Sequence, residues 1–330
     1  MSQVSSYAAG NGVGAIVRAA FNAILDAVKS NNSHATTAPS GAVAGMTYEK
    51  LLSATCQELW KYDGTQWVLT QIVDPTAHKP YPANDRSIRG LTLSNNVSDA
   101  TNDIDIAAGN TAADSDGCPL VLTSALTKRL DAAWAVGANQ GGLDTGSIGN
   151  NTYHLWLIRR PDTGVVDVLF SLSASSPTMP ANYTQKRRIG SIIRSGGAIV
   201  AFRQVGDLFK RTPATDRSNT AAAASALLSL SVPAGIVVRP LLTVALGCLA
   251  SVTCSIALGD AATGSADTTV LQVFTGAGDT SDASQLVVMD GFISNTSGQI
   301  YFAQINTAGT PASSQLITVG WIDRRGQDAA

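Results

Sequence analysis

The triplet Asp-Thr-Gly occurs twice, at Asp144-Thr145-Gly146 and at Asp162-Thr163-Gly164. Aspartic proteases use such a pair: two carboxylates about 3 Å apart share one proton, each on a tight loop reached by an apolar strand. Here Asp144 follows Gln140-Gly141-Gly142, which reads as loop, and Pro161-Asp162-Thr163-Gly164 is ordinary turn chemistry. Only eighteen residues separate the two aspartates, so they would have to converge from one loop and one turn of the same small sheet. A hydrolase built on Asp144, Asp162 and His154 is therefore the least favoured alternative. The other histidines, His34 and His78, fall in linker sequence. His154 alternates with Trp156 and Ile158, the pattern of a packed imidazole or of one aligned with its symmetry copies rather than of a general base. Asn110, Asp114 and Asp116 before Gly117 lack the spacing and terminal Glu of a calcium loop and read as a turn.

The basic clusters Arg159-Arg160, Lys186-Arg187-Arg188 and Arg324-Arg325 are short and have acids nearby, which predicts solvated edges. Cys56, Cys118, Cys248 and Cys254 form no Cys-x-x-Cys. Cys248 and Cys254 lie six apart in a strand-like run of roughly 20 Å, too far to bridge within it, so all four read as free packing thiols. No catalytic residue, no metal ligand and no cofactor follow from these patterns, and the expectation is a protein that is not an enzyme.

Four regions follow from the elements that would carry these residues. Residues 1–45 open with a helix from about Gly12 to Lys29, followed by a small-residue linker. Val13, Ile16, Val17, Ala20, Phe21, Ile24, Leu25 and Val28 cover about half its circumference. That face packs either on its own domain or on another chain. Residues 46–84 hold a small hairpin with Asp63-Gly64 as a type I′ turn; this register sets Trp60 opposite Trp67, with Leu59 and Val68 on the other face. Two indoles can hold sugar rings, although in so small a module they serve better as a core. Pro75, Pro80 and Pro82 then mark a stiff connector. Residues 85–212 read as all-β, with Tyr153–Ile158 answered by Val165–Leu172 and a second hairpin at Gly196-Gly197. The shift in composition at Arg211–Ala224 marks a boundary, and residues 213–330 carry enough short strands for one β-sandwich. The fold class is mainly β: an N-terminal amphipathic helix, a small Trp hairpin module and two β-sandwich-like domains.

Composition narrows the partners. A chain of 330 residues exceeds one ordinary core. Only 14% of residues are charged, against about a quarter in an average soluble chain, so the surface is Ser, Thr, Asn, Gly and Ala. Such a surface suits faces buried by copies of the chain itself. The net charge of -2 supplies no field for nucleic acid. The most apolar run, Ile236–Ala250, is broken by Arg239 and Pro240 and is too short to span a bilayer. The opening MSQVSS has no secretory signal pattern.

The helix followed by Ser30-Asn31-Asn32-Ser33, Ala38-Pro39, Ala44-Gly45-Met46 and a Trp-bearing hairpin is similar to an N-terminal region of many bacteriophage tail fibre proteins. Gly90-Leu91-Thr92-Leu93-Ser94-Asn95-Asn96 through Asp103-Ile104-Asp105-Ile106-Ala107-Ala108-Gly109 resembles a second fibre module, continuing through Leu122–Asp131, Gly141–Gly146, Tyr153–Asp167 and Lys186–Arg194. Trp321-Ile322-Asp323-Arg324-Arg325-Gly326 is similar to a common fibre ending. The resemblance implies a virion structural protein on the tail, a homotrimer that docks on tail or portal-proximal proteins through Val13, Val17, Ala20, Phe21, Ile24 and Val28 of the helix. It implies distal β domains that face the host, with a host surface glycan as a candidate partner. A structural adaptor or a head or tail decoration fibre without receptor binding is the main alternative. Within residues 215–330 the Ser/Thr/Asp/Gly-rich turns Gly259–Thr268, Gly276–Ser284 and Asn306–Ser314 are either passive recognition loops or solvated tips of a spacer.

Overall fold

The computed structural model describes residues 14, 16–19, 21–22, 37–39, 42–247, 254–262, 264–266, 284–285, 291–306 and 313–325. The fold is mainly β, built from several sheets. Of the N-terminal stretch, the described residues Gly14, Phe21, Asn22 and those at 16–19 are helical, with Ile16, Val17 and Phe21 exposed. Val13, Ala20, Ile24 and Val28 lie outside the described residues.

The first sheet is a four-stranded antiparallel meander of β1 (Thr47–Ser53), β2 (Cys56–Tyr62), β3 (Trp67–Asp74) and β4 (Lys79–Pro82). The β2–β3 register differs from the expected one. Asp63 Oδ1 accepts from the Thr65 and Gln66 amides (2.7 and 2.8 Å), closing a four-residue loop instead of a two-residue turn. Tyr62 therefore pairs with Trp67 and Trp60 with Leu69, and a bulge shifts the register only beyond them, so that Leu59 faces Gln71. The slip is even, so both indoles still share one face, now as diagonal neighbours. The proline-rich segment is not a free connector either. Pro80 and Pro82 sit in β4, an edge strand, where a missing amide costs no ladder bond.

The central region runs through β5 (Arg89–Gly90), β6 (Leu93–Asn95), β7 (Asp103–Ile106), β8 (Gly109–Ala112), β9 (Pro119–Leu122), β10 (Leu126–Ala133), β11 (Gln140–Leu143), β12 (Thr152–Arg159), β13 (Val166–Ser171), β14 (Gln185–Ser195), β15 (Ala198–Ile199), β16 (Phe202–Val205) and β17 (Leu208–Ser218). Gln140-Gly141-Gly142, expected as loop, is strand β11. A Cβ on Gly141 would lie 2.0 Å from the Ala133 oxygen, and one on Gly142 2.6 Å from the Phe170 ring, so the glycines permit the close approach of neighbouring elements. Gly196 and Gly197 both take positive φ and close the β14–β15 hairpin, as their sequence indicates.

The last strands are β18 (Ala223–Ser229), β19 (Arg239–Gly247), β20 (Cys254–Gly259), β21 (Ser284–Gln285), β22 (Gln299–Asn306) and β23 (Ser313–Ile322). The boundary expected at residue 212 falls inside β17, which pairs with both β16 and the C-terminal β23. A thirteen-stranded sheet consequently passes from β15 to β21 through both regions, and a three-stranded sheet β18-β22-β20 accompanies it. One apolar cluster extends from Cys56 and Ile72 through Leu93, Tyr153 and Ile189 to Val244, Ile300 and Leu316. The strand candidate at Thr269–Phe274 lies outside the described residues.

Two expectations about side chains are corrected. Arg159, Arg187, Arg188 and Arg325 are buried instead of forming solvated edges, because each meets a carboxylate: Glu58, Asp114, Asp323 and Asp207 respectively. Cys56 and Cys118 are free and buried, as expected, but Cys254 is disulfide-bonded. Cys248 lies outside the described residues.

Candidate functional site

The sequence-derived suspects do not assemble. Asp144 follows β11, and its amide donates to the Phe170 oxygen (2.9 Å) near the end of β13. Asp162 lies in the turn that precedes β13, paired with the half-exposed Arg160 (2.6 Å). Val166 to Phe170 is on the order of 13 Å of strand, so the two carboxylates cannot share a proton. Asp144 Oδ2 instead accepts from the Thr178 amide (2.9 Å). His154 is buried, with Nδ1 2.9 Å from Ser191 Oγ. Burial, followed by the Arg188 guanidinium, pushes its pKa down to about 4, so the ring is neutral and packed. Asp114 and Asp116 occupy the β8–β9 turn, as read from sequence.

The chemistry concentrates where the first sheet meets the central region. Arg159, at the end of β12 and 1% exposed, donates from Nη2 to Glu58 Oε1 (2.7 Å) across the junction. Its Nη1 donates to Gln185 Oε1 (2.7 Å) and to Cys118 Sγ (3.3 Å). Gln185 passes the chain on, donating from Nε2 to Asp116 Oδ2 (2.7 Å), while Glu58 Oε2 accepts from the Trp60 indole (3.1 Å). Both terminal guanidinium nitrogens of Arg159 and both Glu58 oxygens have partners, as such burial requires. The thiols beside Arg159 are inert: burial pushes Cys118 up to about 12 and raises Cys56 as well.

Beside this junction opens a cleft of about 560 Å³. One wall is aromatic. Trp60 and Trp67 project from the same face of the first sheet as Cys56 and Glu58, beyond the part that packs on the central region. The buried Tyr48 stacks on Trp60 (6.2 Å between centroids, 17°) and meets Trp67 edge-on (4.7 Å, 80°), holding both indoles. The facing wall is polar, formed by Asn84, Asp116, Thr184 and Gln185. Asn84 takes a positive φ of 62°, and its amide donates to the Gly117 oxygen (2.7 Å). Gly117 has a φ of 67°, and a Cβ there would overlap the Asn84 side chain, so glycine lets the two segments meet.

Sequence reasoning placed Trp60 and Trp67 on one face but missed Arg159, Glu58, Gln185 and Asp116 as a connected set. The only local signal was a charged residue inside each apolar strand pattern, Glu58 in β2 and Arg159 closing β12. Among the described residues no cluster of three potential metal ligands occurs, and no helix is long and apolar enough to cross a membrane. Compared with known proteins, the chain matches no family model, no curated protein and no solved structure.

Proposed function

We propose that the chain is a virion structural protein, a phage tail fibre that attaches to the tail through its N-terminus and presents β domains toward the host surface. The observation that carries this reading is the apolar surface that the described residues of a single chain leave exposed. Ile16 and Phe21 are 60% and 57% exposed on helical backbone. Strand β18, Ala-Ala-Ser-Ala-Leu-Leu-Ser, is exposed along most of its length at the edge of its sheet. Exposed apolar edges are a hazard that free-standing proteins blunt with charge or proline; an assembly covers them. In the proposed fibre three chains pack about a common axis, and Val13, Val17, Ala20, Phe21, Ile24 and Val28 seat the helix on a tail or portal-proximal protein. Passive binding to the host, rather than cleavage, is assigned to the region from about residue 215; of its three turns, part of Gly259–Thr268, only one end of Gly276–Ser284 and only the ends of Asn306–Ser314 lie within the described residues.

The test is incorporation into virions. Phe21→Asp puts an unpaired charge into the docking face, where desolvation penalises it, and deletion of residues 1–33 removes that face. Both variants are expected to fold and to be absent from purified particles by immunoblot. Normal incorporation of either overturns the docking role.

A further inference from the structure

We propose that the cleft between the first sheet and the central region binds neutral saccharides, with Trp60 and Trp67 as the stacking wall and Asp116, Asn84 and Thr184 as hydroxyl partners. This inference goes beyond the attachment role and does not rest on it, because sugar binding by the purified chain is read without virions.

Three features of the cleft support it. The first is the pairing of an aromatic wall with an amide, carboxylate and hydroxyl wall. A pyranose ring has an apolar C–H face and a rim of hydroxyls, and this combination satisfies both; ligand sites in general join apolar lining with a few placed polar groups. The second is preorganisation. Tyr48, the cross-strand neighbour of Trp60, packs against both indoles on the same face, the Trp60 indole is bonded to Glu58, and Asp116 is fixed by Gln185 Nε2 and by the Cys118 amide (3.0 Å). A ligand therefore pays little for ordering the site. As diagonal neighbours on adjacent strands, the indoles stand roughly 7–8 Å apart at their backbones, which offers two adjacent stacking positions and so an oligosaccharide rather than a single ring.

The third feature selects the charge class. Arg159 is consumed by Glu58 at 2.7 Å, and Lys50 lies 3.9 Å from the same carboxylate. The exposed carboxylate is that of Asp116, so an acidic sugar would meet repulsion and no free guanidinium. Neutral hexose and N-acetylhexosamine chains fit; uronic and sialic acids do not.

The full chain should be titrated calorimetrically with cello-, malto- and chito-hexaose, and with hyaluronan and polysialic acid as anionic probes. At least one neutral hexaose is expected to bind with roughly millimolar affinity. Trp67→Ala should weaken it by about tenfold or more. Because that change could disturb the small sheet, Thr184→Tyr is the second variant: Thr184 is exposed, and tyrosine there narrows the cleft without removing a packed side chain. It should abolish binding while the thermal midpoint stays unchanged. No heat with any neutral probe at about 10 mM overturns the proposal, as does preference for an anionic probe. Undiminished binding by Thr184→Tyr overturns the location.

Discussion

At the residue scale, His154 shows how burial sets a protonation state. Its ring faces Ser191 and Arg188, with Asp323 beyond, and a Cβ on Gly235 would lie 2.9 Å from Nε2. Burial and the Arg188 charge lower the folded-state pKa to about 4, against 6.5 for the free side chain. The unfolded chain therefore binds more protons between these values, and stability falls as pH drops from 6.5 toward 4, then levels off. The full shift corresponds to about 3 kcal/mol. Urea unfolding from pH 7.5 to 4.5 should show this loss in the parent and a flatter profile in His154→Gln, whose side chain cannot titrate. Parallel profiles would refute the assignment. The packed state of His154 was legible in its alternation with Trp156 and Ile158. The burial of Arg187 and Arg188 was not, because their partners Asp114 and Asp323 are 73 and 135 residues away in sequence.

At the element scale, β2 and β12 are joined by the Arg159–Glu58 pair, which is buried on both sides. Removing one partner strands the other charge away from water. Arg159→Met is therefore expected to cost about 3–5 kcal/mol, while the double change Arg159→Met with Glu58→Leu should recover most of it, since an apolar pair of similar volume replaces the ions. Thermal melts of the two single variants and the double supply the cycle; additive losses would show that the pair is not coupled. Strand existence was readable here from local pattern, alternation in β7 and dense apolar runs in β12 and β13. Register was not. The Asp63 side chain captures two amides, and Thr70 Oγ1 donates to the Leu59 oxygen (2.9 Å) beside the bulge; such side-chain competition moves pairing by whole residues while leaving the facing unchanged. The aromatic wall was thus predictable as a face and unpredictable as a cleft, since its opposite wall comes from turns near Asn84, Asp116 and Thr184.

At the scale of the whole molecule, the ending near Trp321 closes the structure onto itself. Trp321 stacks on Phe209 (5.5 Å, 5°), Asp323 takes a bidentate bond from Arg188 (2.6 and 2.8 Å), and Arg325 reaches Asp207 (2.7 Å). The expected division at residue 212 missed this because β17 is polar and alternates weakly, yet its long pairing with β23 makes the two regions one sheet. Among the described residues β18 has a strand partner on one side only, β22, and on the other Ser225 Oγ accepts from the Ala266 amide (2.7 Å). Leu227 is 43% exposed, and no charge lies within the strand. In a monomer, Leu227→Lys would be a surface change worth within about 0.5 kcal/mol and would leave the mass as it was. In the proposed threefold assembly the same lysine enters an apolar contact between copies, where its desolvation works against association. Light scattering of the parent at micromolar concentration should give three times the 34.0 kDa chain mass, and Leu227→Lys should shift it toward one chain with strand content unchanged by circular dichroism. A parent that stays monomeric would remove the trimer. A trimeric parent whose lysine variant also stays trimeric would move the contact off β18, and mass measured across a dilution series separates these outcomes, because association depends on concentration and folding of a single chain does not.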